Sequence, residues 1–320
     1  MDLNESDFKL LSYLYHHQRE PVTKIAKAVK LSRGQVDYKL NKYIKEGLIR
    51  KFVSVFNYSK LGYNYYAILL LRFEKPPYKN KFIEGLAKNK NCISWGNVFG
   101  KYELYVNCIF KDETEFSKFI GNLISNSQYP LLDSLVIKPF FAEMYPLKLF
   151  RHKDRENFLI IDNTNKKIKL DDKDMKILKA LNEDGRIRLI DIASKSRISS
   201  ESALYKLKKL YKEKVVLGSR MQFDMEKLGY SYSIISLNIK NFSEKNKEKI
   251  KRFVRQSEFT NSLIFSLMKP NCIIQLFYKE EAELRKVIDQ IRKLFSDESV
   301  DIDILMLDQE EKEVNSLPFI

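Results

Sequence analysis

An internal repeat dominates this sequence of 320 residues. At a constant offset of 167 residues and without a gap, LNESDFKLLSYL (3–14) aligns with LDDKDMKILKAL (170–181), Tyr38-Lys39-Leu40 with Tyr205-Lys206-Leu207, and KLGY (60–63) with KLGY (227–230). A match that persists over about seventy residues indicates duplication of a whole structural unit. The sequence therefore predicts one module that is used twice.

Each copy is predicted to start with three helices and a strand. The first two helices are expected at 5–16 and 23–29 in copy 1, and at 172–182 and 189–196 in copy 2. The third follows Ser32 or Ser199, whose side chain can cap the free amides of a helix start. One β-prone run then follows in each copy, LIRKFVSVFN and VVLGSRMQFD. This order is typical of a winged helix-turn-helix domain.

The rest of each copy runs strand, helix, strand, strand, helix, strand, which is the ferredoxin-like βαββαβ plan. The predicted fold class is therefore α+β, with two copies of a winged helix-turn-helix domain followed by a ferredoxin-like domain. The predicted boundaries are 1–62 and 170–229 for the winged helix-turn-helix domains, 63–147 and 230–320 for the ferredoxin-like domains, and 148–169 for a basic linker. At about 3.3 Å per residue the linker reaches about 70 Å, so the ferredoxin-like domains can pair within one chain.

The positive charge is concentrated on the helical segments and the linker. Of the net charge of +15, residues 1–62 carry +6, residues 170–229 carry +4 and the linker carries +4. This distribution favours a polyanion as partner.

Cysteine content and hydropathy exclude other classes of protein. Cys92, Cys108 and Cys272 are an odd number without a close pair, so buried thiols are predicted rather than disulfides or a zinc site. We expect no metal and no cofactor. No apolar run approaches the length of a membrane span and the N-terminus lacks a leader pattern, so a cytoplasmic protein without membrane contact is expected.

The helix that Ser32 caps has two different faces. On a period of 3.6 residues, Val36, Leu40, Tyr43 and Ile44 share the packing face, and Gln35, Tyr38, Lys39, Lys42 and Lys45 share the outward face. In a helix-turn-helix this helix enters the major groove of duplex DNA. Gln35 and Lys39 are expected to donate to base edges, Tyr38 to contact a base or a phosphate, and Arg33, Lys42, Lys45, Arg50 and Lys51 to bind phosphates.

Copy 2 offers a different set of candidate DNA contacts. These are Ser200, Ser202, Tyr205, Lys206 and Lys209. Because the two recognition helices differ, docking of both copies predicts an asymmetric DNA site. The alternative interpretation is a basic helix face that is solvated and binds nothing.

The order of these motifs resembles the Lrp/AsnC family of transcriptional regulators, in the tandem form seen in archaea. VFGKYELYV (98–106) is similar to the Gly-x-Tyr-Asp turn of the family's effector-binding domain, although Glu103 stands at the Asp position. The resemblance implies a small effector such as an amino acid near Gly100, Tyr102 and Glu103, and pairing or homo-oligomerisation through the ferredoxin-like domains. An ordinary turn between strands is the alternative. Lys30 and Arg197 stand where the family usually has glycine, which predicts either a left-handed turn at a cost of about 1 kcal/mol or a remodelled turn.

Two other functions are compatible with this plan. Siroheme decarboxylases resemble it and also occur as paired or fused copies, but their histidines in the second ferredoxin-like strand have no counterpart here. The histidines of this chain are His16, His17 and His152, all outside that strand. A winged-helix protein-interaction module that no longer binds DNA is the third hypothesis. No catalytic residue is predicted.

Overall fold

A computed structural model describes residues 3–86, 88–126, 128–145, 147–148, 158–161, 167–307, 312–313 and 316–319. Copy 1 begins with α1 (Glu5–His17), α2 (Val22–Val29), α3 (Arg33–Lys45) and β1 (Ile49–Phe56). It continues with β2 (Tyr65–Phe73), α4 (Pro76–Leu86), β3 (Cys92–Phe99), β4 (Leu104–Phe110), α5 (Glu113–Ile124), β5 (Leu131–Ile137), β6 (Pro139–Met144) and β7 (Phe158–Ile161).

Copy 2 repeats this order. It comprises α6 (Asp172–Glu183), α7 (Leu189–Ser196), α8 (Ser200–Lys212), β8 (Val216–Phe223), β9 (Ser231–Ile239), α9 (Glu244–Gln256), β10 (Thr260–Ser266), β11 (Cys272–Tyr278), α10 (Glu281–Leu294), β12 (Val300–Leu307) and β13 (Lys312–Glu313). The first two helices predicted in each copy agree with these bounds to within one residue. The predicted fold class, two winged helix-turn-helix units each followed by a ferredoxin-like unit, is confirmed.

The two ferredoxin-like units form one extended sheet. Each unit has the same antiparallel strand order, β5-β2-β4-β3 in copy 1 and β12-β9-β11-β10 in copy 2. β6 of copy 1 pairs with β10 of copy 2. In the reverse direction, β3 of copy 1 pairs with the last residues of β12 and with β13, both of copy 2. The units thus exchange equivalent strands, which covers the edges that β3 and β10 would otherwise present to other chains, while β5 and β7 form the ends of the extended sheet.

The predicted linker is only partly described. Within it, β7 pairs with β6, so this part of the linker extends the sheet rather than running free. Residues 149–157 and 162–166, and with them His152, lie outside the described residues.

The strand that follows each recognition helix pairs with its counterpart in the other copy. β1 and β8 form a two-stranded antiparallel ribbon, from the pair Ile49 and Phe223 to the pair Phe56 and Val216. The helices cross over as well, because α1 packs against β8 and α6 against β1. Tyr15 of α1, for example, stacks on Phe223 of β8 with 6.1 Å between ring centroids. The sequence pattern indicated these strands but not their partners.

Polar contacts fix this arrangement at the turn after α6. Arg19 donates to the carbonyl oxygens of Gly185 (2.6 Å) and Ile187 (2.9 Å). The Gly185 amide donates in turn to the Phe52 carbonyl at 2.9 Å. A Cβ atom on Gly185 would lie 2.7 Å from the Val53 carbonyl carbon, so only glycine allows this approach. The two winged helix-turn-helix units therefore form one compact pair.

Predicted burial is largely confirmed. All three cysteines are buried and free, and burial raises the pKa of the Cys108 and Cys272 thiols. Trp95 is half-buried against the copy 1 sheet core. No described helix is long and apolar enough to cross a membrane.

Candidate nucleic-acid interface

The start of α3 is fixed by a reciprocal cap, as the serine predicted. The Gln35 amide donates to Ser32 Oγ (3.1 Å), and the Ser32 amide donates to Gln35 Oε1 (2.8 Å). Such a capping box satisfies two amides that the helix itself leaves free. The Gln35 side chain is exposed, and its NH₂ group keeps its donors for a base edge while its oxygen serves the cap.

The buried face of α3 is centred on Val36, Leu40 and Tyr43. These residues stand at i, i+4 and i+7, the spacing of a narrow packing stripe. The prediction that Ile44 belongs to this face is wrong, because its side chain is 46% exposed at the edge of the stripe. In α8 the corresponding stripe is Ala203, Leu207 and Leu210.

One aromatic side chain stands out on each recognition helix. Tyr38 is 70% exposed and Tyr205, its counterpart in copy 2, is 72% exposed. A large aromatic ring loses contact with apolar neighbours when it faces water, so two such rings at matched positions are unusual for a solvated face. Both follow a serine-capped helix start, where a helix-turn-helix meets DNA.

The prediction that Lys39 points outward is wrong. Its ammonium group is paired with the Asp7 carboxylate of α1, and the side chain is only 17% exposed. The Tyr43 hydroxyl donates to the same carboxylate at 2.5 Å. Burial by itself raises the pKa of Asp7, but the hydrogen bonds from Lys39 and Tyr43 outweigh it and hold the pKa below its usual range. Lys39 therefore holds α3 against α1 through a short bridge between helices.

Copy 2 contains the same bridge. Lys206 donates to Asp171 at 2.6 Å and to Asp174 at 3.0 Å, and its side chain is 20% exposed. The hydrogen bond from Lys206 lowers the pKa of Asp171 to about 2. The outward prediction for Lys206 is wrong for the same reason. The repeat in the sequence could have indicated this bridge, because its offset aligns Asp7 with Asp174 as well as Lys39 with Lys206.

The other predicted cations differ in how far they are free to meet phosphate. Arg33, Lys42 and Lys45 are exposed, with Arg33 Nε 3.7 Å from Asp37. Lys209 is exposed and lies 3.9 Å from Glu213. Arg50 pairs with Asp224 of copy 2 at 2.9 Å, so it bridges the two copies across the ribbon, and Lys51 is half-buried. Ser200 and Ser202 are exposed, with Ser202 completing the cap on Ser199 at 3.2 Å.

The turn of each helix-turn-helix is left-handed despite the absence of glycine. Lys30 has φ 57° and ψ 44°, and Arg197 has φ 56° and ψ 53°. The prediction of a remodelled turn is wrong. The chain instead accepts a left-handed residue with a side chain at both positions, at a cost of about 1 kcal/mol each.

Two side chains of the turn between β3 and β4, those of Tyr102 and Glu103, are directed toward the protein. Gly100 has φ 126°, a backbone angle that favours glycine. Tyr102 is 7% exposed and joins the core, and Glu103 accepts a hydrogen bond from the Phe73 amide at 2.9 Å. These contacts fit the interpretation of an ordinary turn, because Glu103 is hydrogen-bonded and Tyr102 is packed within the domain.

Groups for other chemistry are sparse in the described part of the chain. No cluster of His, Cys, Asp and Glu that could hold a metal occurs among those residues. His17 stacks on Tyr13 and lies 3.7 Å from Glu20, at the end of α1.

Comparison with known proteins also indicates DNA-binding domains in this chain. Residues 3–50 and 170–216, the two helix-turn-helix segments, match the family described as winged helix-turn-helix DNA-binding. An uncharacterized HTH-type transcriptional regulator of Pyrococcus horikoshii is 29% identical over 120 residues, which cover 38% of this chain and 75% of that protein. The HTH-type transcriptional regulator FL11 of the same organism is 25% identical over 118 residues, or 37% of this chain and 78% of that protein.

Two solved structures of one protein match nearly the whole chain. The crystal structure of the siroheme decarboxylase NirDL covers 99% of this chain and 96% of its own, with a TM-score of 0.63 and 15% identity, a likeness of fold alone. The duplicated winged helix-turn-helix match, the ferredoxin-like unit after each and the regulator relatives support the resemblance to a tandem regulator of the Lrp/AsnC type.

Proposed function

We propose that this protein is a DNA-binding transcriptional regulator that presents α3, and with it α8, to the major groove of duplex DNA. The observation that carries the proposal is the matched pair of capped helices with Tyr38 and Tyr205 exposed. The regulator relatives support it. The concentration of basic charge on these segments supports it too, because phosphate neutralisation supplies most of the affinity in such complexes.

The proposed contacts of α3 follow from exposure. Gln35 and Tyr38 reach base edges, while Arg33, Lys42 and Lys45 bind phosphates. Lys39 acts indirectly, since its pairing with Asp7 orients the helix. Arg50 and Lys51 are assigned a secondary role at the ribbon, because Arg50 already pairs with Asp224.

The proposed contacts of α8 are weaker. Ser200, Ser202 and Tyr205 face outward, and Lys209 binds phosphate once it leaves Glu213. Lys206 positions its helix as Lys39 does. The β1–β8 ribbon joins the two winged helix-turn-helix units, whose recognition helices α3 and α8 differ in sequence. The proposed operator is therefore asymmetric. Selection of fragments from a random DNA pool tests this, and recovery of a near-perfect palindrome would contradict it.

The decisive experiment measures affinity for a selected fragment by fluorescence anisotropy. The double variant Gln35→Ala, Tyr38→Ala is expected to bind at least about tenfold more weakly, since each base contact contributes about 1–3 kcal/mol. Lys81→Ala, on an exposed position of α4, is the matched control and is expected to bind like the parent. Equal affinity of the folded double variant and the parent would refute the assignment of α3.

Salt dependence separates DNA binding from a protein-interaction role. Each neutralised phosphate contributes about −0.9 to the slope of log affinity against log salt concentration. Lys42→Ala is expected to reduce that slope by about one, and Lys81→Ala to leave it unchanged. A flat response in the parent between about 50 and 200 mM salt would favour the winged-helix interaction module.

We propose that the protein is not an enzyme. The fold of NirDL over the whole chain favours the siroheme-decarboxylase alternative, and a second NirDL structure contains an iron-uroporphyrin III analogue. Against it, the described lining of the cavity between the β1–β8 ribbon and the extended sheet includes no histidine. An absorbance titration with added sirohaem tests this, and formation of a decarboxylated product would overturn it.

An effector and further assembly complete the proposal. The family resemblance supports an amino-acid effector near Gly100, Tyr102 and Glu103, and the exchanged strands support pairing inside one chain. Calorimetry with the twenty amino acids tests the first. Light scattering of the full chain tests whether it forms further homo-oligomers. We place the protein in the cytoplasm, where its DNA target would lie.

A further inference from the structure

A cavity of about 160 Å³ lies between the β1–β8 ribbon and the extended sheet. Residues from β1, β8, β4, β6, β10 and β11 line it, so both copies contribute to its wall. Its volume is close to that of an engineered protein cavity of about 150 Å³ that accommodates benzene. The cavity therefore has room for a molecule of one ring. Gly100, Tyr102 and Glu103 do not line it, so it is distinct from the turn between β3 and β4.

Two buried polar atoms in the wall lack a hydrogen-bond partner. Ser54 Oγ belongs to a side chain that is 3% exposed, and Asn261 Oδ1 to one that is 7% exposed. A buried polar group without a partner destabilises the fold, because it has lost its hydrogen bonds to water. Ser262 Oγ, in the same lining, does have a partner and donates to Gln275 Oε1 at 2.7 Å. The two unpartnered atoms are thus sites where a ligand gains a hydrogen bond.

The charged residues of the described lining already have partners. Glu143 accepts from the Tyr145 hydroxyl at 2.5 Å and lies 3.4 Å from Arg255. Arg220, the other charged residue of that lining, also has an interaction of its own. A charged ligand would lose its hydration on entering the cavity and would find no unpaired opposite charge in the described lining. This cost disfavours the binding of a charged molecule. The site therefore suits a neutral molecule.

The apolar part of the wall is suited to a flat ring. Tyr232 and Phe277 stack on each other with 4.8 Å between centroids, and Phe56 and Phe223 face the same space. Aromatic walls favour an aromatic or planar ligand through offset and edge contacts. A cavity with room for one ring does not accommodate a tetrapyrrole.

We propose that this cavity binds a neutral single-ring molecule that carries a hydrogen-bond donor. The ligand's O–H or N–H donates to Asn261 Oδ1, and its heteroatom exchanges a hydrogen bond with the Ser54 hydroxyl. This site is independent of whether α3 binds DNA, because none of the proposed DNA contacts lines it.

Binding of 4-fluorophenol and of fluorobenzene to the full chain, followed by ¹⁹F NMR, tests the proposal. A purely apolar cavity prefers fluorobenzene, since the phenol would lose its hydrogen bonds to water. We expect the opposite order, with 4-fluorophenol bound about three- to tenfold more tightly per hydrogen bond gained. Asn261→Leu and Ser54→Ala are each expected to reduce this preference by a similar factor.

Ser196→Ala provides the matched control. Ser196 Oγ is also buried without a partner, but it belongs to α7 and lies outside the cavity, so its removal should leave both affinities unchanged. Ala142→Leu places a larger side chain in the cavity and should abolish binding of both probes, with thermal unfolding as the check of folding. If that variant does not fold, Asn261→Leu and Ser54→Ala decide the question. A parent that binds neither probe at millimolar concentration, or that prefers fluorobenzene, would overturn the proposal.

Discussion

Replacing Lys39 with methionine tests whether this lysine holds α3 in place or reads DNA. Methionine keeps the alkyl length but removes the charge, so the Asp7 carboxylate loses one of its donors and keeps those from Tyr43 and the Asn4 amide. A hydrogen bond between charged groups contributes about 1.5–3 kcal/mol. Because Lys39 is 17% exposed and partly solvated, we expect a loss of about 1–2 kcal/mol in the free energy of unfolding.

Asp7→Ala should destabilise more than Lys39→Met does. It leaves the Tyr43 hydroxyl, in a side chain that is 1% exposed, without its acceptor, and it removes the acceptor of the Asn4 amide at the cap of α1. An unsatisfied buried hydroxyl costs about 1–3 kcal/mol and a lost cap about 1 kcal/mol. We expect a total loss of about 2–4 kcal/mol in the free energy of unfolding. Lys39 adds little to this loss, because its side chain can extend toward solvent and recover some hydration.

Urea unfolding of parent, Lys39→Met, Asp7→Ala and the double variant measures these effects. The double-mutant cycle isolates the coupling between the two side chains, which should stabilise by at least about 0.5 kcal/mol. DNA affinity of Lys39→Met, measured at a temperature where the variant is folded, should stay within about threefold of the parent. Unchanged stability together with a loss of about tenfold or more in DNA affinity would refute the bridging role and restore Lys39 as a direct contact.

Three further predictions concern stability. Gly185→Ala should lower the free energy of unfolding by about 1–3 kcal/mol, because its Cβ would meet the backbone of β1 at 2.7 Å; Gly121→Ala in α5, with open space around it, is the control and should be neutral or stabilising in thermal unfolding. Acidification should destabilise the fold: the pKa of Asp7 is lowered in the folded state, so its contribution is complete above its ordinary pKa of about 4 and is lost as pH falls through the lowered value. Urea unfolding at pH 6, 4 and 3 measures this, and it should show a smaller pH effect in Asp7→Ala. Lys30→Gly and Arg197→Gly should each raise the free energy of unfolding by about 1 kcal/mol, because glycine adopts the left-handed turn freely, and a lowered melting temperature in either would contradict the prediction.

Local signals in the sequence predicted the elements but not how they combine. Ser32 and Ser199 cap helices where predicted, since a cap depends on residues within one turn. The pairing of β1 with β8 depends on a partner about 170 residues away, and no periodicity within either strand records that partner. The same holds for the exchange of β6 and β13 between the two ferredoxin-like units.

The outward direction was predicted correctly for the side chain of Tyr38 and wrongly for that of Lys39, which pairs with a carboxylate. A helical period separates inward from outward directions, but it does not see a carboxylate on a neighbouring helix. Lys39 lies at the boundary of the buried stripe, and its four-carbon chain allows the ammonium group to reach Asp7 instead of solvent. Tyr38, one residue earlier, has no such option and stays exposed.

The two copies share the bridge between helices but differ in part of the outward face. The bridge between helices recurs in both, as Lys39 with Asp7 and as Lys206 with Asp174, although the bridge itself does not touch a partner molecule. On the outward face, in contrast, Gln35 is replaced by Ser202 at the matching position. Loss of a bridge would destabilise its domain whatever the ligand, whereas a change on the outward face alters only what the helix can recognise. Under the proposed function, recognition of two unlike half-sites requires this combination. The two recognition helices keep the bridge that holds them in place and differ in residues of the outward face.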